Sequence, residues 1–397
     1  MSAWVTIGAG PLPVYIAKGA RVYVSGLLSV LLPAYLTVLG YSPLFVGITL
    51  AAILAGNALS NVLLTYYEKL IGRRRLLLGF SLLMLVSGIL LATANSPVPI
   101  LVACLIGNIS TTGTEAGPFQ SVEAGVLPDL VGERKTVRAF GIYNLVGYAA
   151  SSLGALTLYV PGSQQNSLPV FRGLFLVFGV VGILLFILYS RLQGLDVKGL
   201  PVSKSFASLG PDARSEVTKL SALYSIDAFG GSFVSQFLLI YWFNLTFGVS
   251  YATLAYVFFA TNVITAASIY GASFIAERIG NLRTMVYTHV ASNGFLLLVA
   301  LSGSLLGAVA FLFLRQAFSQ MDVPTRQALM AEMFRREDRV PAYAVTNIVR
   351  SAGAFLGGPA TALILGTGVA VGVIYTGGLS KLVYDALIYR AYRKRFR

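Results

Sequence analysis

Eight ionisable side chains interrupt stretches that are otherwise apolar: Glu115, Glu123, Asp227, Arg315, Asp322, Arg350, Lys381 and Asp385. A charge within a membrane span is expensive and persists where it pairs, faces the protein interior or meets water. Arg315 and Asp322 are seven residues apart. On one continuous helix that spacing sets them on a single face, about 10 Å apart along the axis, both able to point into one cavity. Aligning Pro118 with Pro324 lays Glu115 almost level with Asp322. Two carboxylates facing one cavity raise the pKa of at least one of them, and such a group can take up and release a proton. Glu115 and Asp322 are therefore proton-coupling candidates, and Arg315 is an anion ligand or counter-charge. The alternative for Asp322 is that it, Pro324 and Arg326 cap a helix end at the cytoplasmic interface.

The remaining charges have more local readings. Asp227 and Arg350 lie at similar depth and are expected to pair, as a structural salt bridge or as a coupling site. Lys381 and Asp385, four apart on one helix, can satisfy one another. Glu123 is expected at the interface near Lys18 and Arg21. His289, the single histidine, reads as a packed or hydrogen-bonded interior residue. Gln236, Asn262, Gln316 and Gln320 are polar groups that either contact a solute or stitch helices together. Trp242, between Tyr241 and Phe243, reads as an interfacial anchor.

What must position these residues is a bundle of membrane helices. The chain has 397 residues, 56% hydrophobic and 11% charged, against roughly a quarter charged in soluble domains. Apolar blocks of about 20 residues recur throughout. Twelve spans are predicted, near 14–38, 43–66, 75–94, 98–122, 137–160, 169–190, 218–245, 250–275, 284–303, 305–325, 341–366 and 368–390. Lys and Arg crowd alternate connections, while the intervening ones hold only Arg172. The positive-inside rule then places the charged loops and both termini in the cytoplasm of a cell-membrane protein. The formal net charge of +14 is a topology signal, so no nucleic-acid partner is expected. No basic segment precedes the first apolar run, and no cleavable signal peptide is predicted. Nucleotide loops, metal-spaced Cys/His clusters and nucleophile elbows are not found. The expectation is no enzyme activity and no cofactor. Cys104 stands alone in the fourth span.

A hydrophilic segment near the middle divides the chain into residues 1–190, a linker 191–217 and residues 218–397. The two halves repeat weakly. EKLIGRRR (68–75) matches AERIGNLR (276–283), with Gly72 and Gly280 208 positions apart. LGYSP matches FGVSY, and Pro118 matches Pro324 at an offset of 206. With these features the chain resembles the major facilitator superfamily of secondary transporters. That resemblance implies two six-helix bundles, with a small-molecule solute bound between them at mid-depth and delivered by alternating access. It also implies a cytoplasmic gate from the loop motif, assigned to Glu68, Gly72, Arg73 and Arg74 in one copy and Glu277, Arg278, Gly280 and Arg283 in the other. The triple arginine serves equally as a membrane anchor.

Marks of the sugar, peptide and antiporter subfamilies are mostly missing, although LGGPA (356–360) partly echoes the antiporter signature. The expected protein is a monomeric, proton-coupled transporter that leans towards export. The alternative is a non-coupled facilitator, a lipid-moving protein or a membrane receptor on the same fold.

Overall fold

The computed structural model describes residues 10–110, 117–131, 136–158, 167–192, 209–335 and 338–396. All regular structure among them is helical. Among the described residues nine helical segments are long and apolar enough to cross a membrane, Pro211–Phe247 counted as one of them. Nine predicted spans coincide with unbroken helices. These are α1 (Leu12–Val38), α2 (Pro43–Ile71), α3 (Arg73–Thr93), α6 (Thr136–Leu156), α7 (Leu168–Arg191), α10 (Tyr251–Ile279), α11 (Asn281–Leu301), α14 (Arg339–Gly366) and α15 (Val371–Tyr392).

The fourth, seventh and tenth spans depart from expectation, since each is split. The fourth is α4 (Pro97–Ile106) and α5 (Pro118–Val131); the seventh is α8 (Pro211–Ser232) and α9 (Gln236–Phe247); the tenth is α12 (Leu305–Ser319) and α13 (Asp322–Met333). Local chemistry explains each break. A proline has no N–H for the residue four positions earlier, and its ring clashes with that residue's carbonyl. Pro324 therefore leaves the Gln320 carbonyl without its usual partner four residues on and favours a break there, where φ is −112°. Pro118, its repeat counterpart, serves as the first residue of α5. Between α4 and α5 the run GNISTTGTEAG is poor in helix formers, and Asn108 already takes a positive φ of 50°. In the seventh span, Gly230-Gly231-Ser232 ends α8.

The chain separates into two compact units. The first comprises Met1–Lys198, Gln236–Asn244 and Gly248–Phe259; the second comprises Gly199–Ser235, Leu245–Phe247 and Ala260–Arg397. Inside each, helices pack through small residues, which let backbones approach closely. In the first unit α1 meets α6, where a Cβ on Gly26 would overlap the Ser151 carbonyl and one on Gly154 the Tyr23 carbonyl. The second unit joins α8 to α14 in the corresponding way. There Gly353 faces the Ser225 carbonyl, a Cβ on Gly357 would come 2.5 Å from Ser232 Cβ, and Ser232 Oγ donates to the Ala354 carbonyl at 2.8 Å. The second seam draws its glycines from the run GAFLGGP, residues 353–359.

The loops preceding α3 and α11 also correspond. Gly72 has φ 90° and ψ 145°, and Gly280 has φ 85° and ψ 160°. Both glycines are required, because a side chain is strained in that region.

Candidate functional site

The charged residues assemble into two buried clusters, one in each unit. In the first, Arg21 from α1 grips Glu123 from α5. Arg21 Nη1 donates to Oε1 at 2.8 Å and Nη2 to Oε2 at 2.5 Å. Tyr189 Oη donates to Oε1 at 2.7 Å and Tyr143 Oη to Oε2 at 2.8 Å. Arg21 also reaches Tyr189 Oη and lies 5.0 Å from the Phe119 ring centre, while Lys18 Nζ sits 4.6 Å from the Tyr143 ring centre. The Glu123 side chain is fully buried. Expectation had put Glu123 at the interface. It is an interior group whose two oxygens accept four bonds, which offsets its desolvation. A small opening of about 10 Å³ lies against Arg21, Asn108 and Phe119.

In the second unit, Asp227 on α8 is the hub. Its Oδ1 accepts from Lys381 Nζ at 2.6 Å, with His289 Nε2 3.5 Å away. Its Oδ2 lies 3.5 Å from Arg326 and 3.9 Å from Arg350. Arg326 also donates to Asp322 Oδ2 at 3.0 Å. Behind this layer, His289 Nδ1 lies 2.7 Å from Asp385 Oδ1, and Asn293 donates to Asp385 Oδ2 at 3.1 Å. Five helices contribute: α8, α11, α13, α14 and α15. Lys381 threads past the glycine pair of α8, where a Cβ on Gly230 would sit 2.9 Å from Lys381 Cγ.

This geometry revises several expectations. Asp227 and Arg350 pair as expected, at 3.9 Å, but Lys381 and Arg326 lie closer to the same carboxylate. Lys381 and Asp385 do not satisfy one another; each side chain turns to a different helix. His289 is a buried, hydrogen-bonded interior residue as expected, and it stands between two carboxylates. The supposed shared face of Arg315 and Asp322 is lost, because the break at Gln320–Met321 puts them on different helices. Asp322 opens α13 and bonds Arg326, but its side chain caps no backbone N–H of that helix, and it is buried, with the Asp322 side chain 9% exposed.

Arg315 donates to Gln316 Oε1 at 2.6 Å. It forms no ion pair among the described residues, and its buried Nε has no partner. Ser319 also donates to Gln316, at 3.0 Å. Gln236 groups with the first unit and donates to Ser29 Oγ at 2.8 Å, so it stitches helices. Asn262 is buried, and Gln320 sits half-buried at the break. Trp242 is buried against Phe243, which removes the interfacial-anchor reading. Of the gate residues, Glu277, Arg278 and Arg283 are exposed, and Arg73 and Arg74 are half-buried. The Glu68 side chain and the whole of Glu115 lie outside the described residues.

Sequence reasoning missed the hub because its members are spread over about 160 positions, from 227 to 385. The one available signal was that each is an ionisable residue in an apolar helix.

A polytopic helical protein with charges buried inside its helix units, and with helices broken at matching places in two repeats, is built like a membrane transporter. Residues 14–358 match the family model described as Major Facilitator Superfamily, and the chain belongs to that family of integral membrane proteins. It is 25% identical over 286 residues to an uncharacterized membrane protein of Saccharomyces cerevisiae, a match spanning 63% of this chain and 64% of that one. The fold is similar to that of the nucleoside transporter NupG, with a TM-score of 0.71 and 13% identity over 96% of this chain and 98% of the other. It is also similar to a D-xylose-proton symporter, with a TM-score of 0.70 and 14% identity over 96% and 97% of the two chains. A transporter of the POT family gives a TM-score of 0.72 at 14% identity, over 97% and 96%.

Proposed function

We propose that this chain is a secondary active transporter that moves a small solute by alternating access between two helix bundles, residues 1–190 and 218–397, is driven by protons and works in the direction of export. The observation that carries the reading is the hub at Asp227. Three carboxylates, three cations and a histidine held among apolar helices are costly as scaffolding alone, and within membrane helices such groups mark ion and proton pathways. A proton symporter shares the fold. Asp322 joins the hub through Arg326, and Glu115 is its proposed counterpart in the other half.

Arg315 is the proposed contact for an anionic or hydrogen-bond-accepting group of the solute. Its guanidinium has capacity left, and Gln316 and Ser319 hold it in place. Glu277, Arg278 and Arg283, with the Arg73–Arg74 loop, are proposed to gate the cytoplasmic side.

Solutes are first found by their ability to raise the thermal stability of the purified protein. Proteoliposomes are then given an imposed pH gradient, and uptake of such a solute is followed. Accumulation that collapses with the gradient supports the reading. Equilibration that ignores the gradient indicates an uncoupled facilitator, and binding without flux indicates a receptor. Arg315→Ala should weaken solute binding about tenfold or more, the loss of a charge-assisted hydrogen bond; unchanged affinity removes Arg315 from the site.

A further inference from the structure

Asp385 is the observation to start from, because it fixes the state of His289. A carboxylate only accepts, so the 2.7 Å contact from His289 Nδ1 to Asp385 Oδ1 requires the proton on Nδ1. Asn293 Nδ2 is a donor as well, and it therefore spends its bond on Asp385 Oδ2. In the neutral ring Nε2 is then the lone pair. Lys381 Nζ, 3.4 Å away, donates to it while holding Asp227 Oδ1 at 2.6 Å.

With His289 neutral, the hub balances. Asp227, Asp322 and Asp385 match Lys381, Arg326 and Arg350. No other ionisable group opposes His289 at close range among the described residues. From α15 it meets Asp385 and Lys381, with the Tyr384 ring edge-on at 5.7 Å. From α8 it meets Asp227, with Tyr224 behind Tyr384. From α13, Arg326 and Asp322 stand one step away across Asp227, as does Arg350 from α14. The one ionisable residue of α12, Arg315, forms no ion pair with any of them. The hydroxyls of Tyr224 and Tyr384 are buried with no protein partner, and groups of that kind hold water when they have room for it.

We propose that His289 Nε2 is the proton-binding site of this protein, and that proton arrival exchanges Lys381 for Asp227 as its partner. The proposal rests on the proton-coupled reading above and names the titrating group. A proton added at Nε2 turns an acceptor into a donor. It repels the Lys381 ammonium and points at Asp227 Oδ1, 3.5 Å away. The hub then carries one positive charge in excess. As Asp227 moves towards the imidazolium, Arg326 and Arg350 lose their shared carboxylate oxygen. Arg326 keeps Asp322, the first residue of α13, so the change is delivered to the segment that begins beyond the break at Gln320–Met321. Loss of the proton reverses each step. Among the described residues no group of three or more metal-ligating side chains is disposed to hold a metal ion.

His289 is the only histidine in the chain, so its ring can be observed alone. The protein, labelled with ¹⁵N-histidine and held in lipid nanodiscs, is titrated by NMR across the range in which histidine charges, about pH 5–8. The expected result is the Nδ1–H tautomer at the alkaline end and one protonation step at Nε2. Asp227→Asn should weaken proton binding about tenfold or more and Lys381→Met should strengthen it, the directions set by removing an opposite and a like charge. Ring shifts that do not change across the range overturn the proposal, and so does a midpoint identical in wild type and both variants. If Asp227→Asn fails to fold, Asp385→Asn takes its place, with the tautomer preference lost as the expected result. In proteoliposomes, His289→Gln should transport without responding to the pH gradient; a wild-type pH profile in that variant overturns the proposal. A wild type that titrates as expected yet ignores the gradient sinks the proton-coupled reading and leaves the binding site standing.

Discussion

The two buried charge clusters obey the same electrostatics and differ in how many ways they can be satisfied. Around Glu123 every acceptor position is filled by a fixed donor: one bidentate arginine and two tyrosine hydroxyls. Each Glu123 oxygen accepts two bonds there, so the carboxylate is fully satisfied as it stands. Around Asp227, four cationic or protonatable groups share two oxygens at distances from 2.6 to 3.9 Å. Two further carboxylates divide the same partners. A cluster with one solution locks helices together, and a cluster with several can pass between them. That difference is the basis for proposing a structural role for the Glu123 cluster and a switching role for the Asp227 cluster.

The comparison can be broken most forcefully at Arg21. Arg21→Met leaves Glu123 buried and uncompensated, and should cost about 3–5 kcal/mol of stability, read as a large drop in the thermal midpoint of the purified protein. Arg21→Met with Glu123→Gln should recover part of it. A single mutant as stable as wild type would show that the first cluster is not a lock.

Asp227→Asn should cost less, about 1–3 kcal/mol, because Arg326 keeps Asp322 and the remaining cations can spread. Its functional loss should instead be complete for gradient-driven accumulation, with solute exchange retained. A stability loss equal to that of Arg21→Met would erase the distinction between the clusters.

Packing supplies an internal control. Gly26→Val in the first unit and Gly353→Val in the second strike corresponding seams, and each should cost about 1–3 kcal/mol by overpacking. A markedly unequal pair would show that the halves are not built alike. The smallest effect belongs to Arg350→Gln. With 30% of the side chain exposed and 3.9 Å from Asp227, it should change stability by about 0–1 kcal/mol.

Much of the architecture was legible in the sequence because membrane helices announce themselves by length and apolarity, and nine predicted spans coincide with unbroken helices. The breaks were legible only in part. Pro118 and Pro324 stand out as repeat partners, but a proline alone does not tell a break from a tolerated kink, since Pro33 and Pro359 lie inside unbroken helices. The pairing of charges was not legible. Lys381 and Asp385 are ideally spaced on one helix, but spacing gives no information about what the neighbouring helices offer. Asp227 and His289 present better geometry from across the bundle. The same holds for Glu123, whose four donors come from α1, α6 and α7, elements that a local reading cannot bring together.

The most direct measurement records solute and proton movement together in proteoliposomes carrying either wild type or Asp227→Asn, using a solute that stabilises the purified protein. The wild type should accumulate solute against its gradient with matched proton flow, while the variant exchanges solute with no proton movement. Proton-linked accumulation by Asp227→Asn at the wild-type rate would contradict the role given to the second unit's cluster.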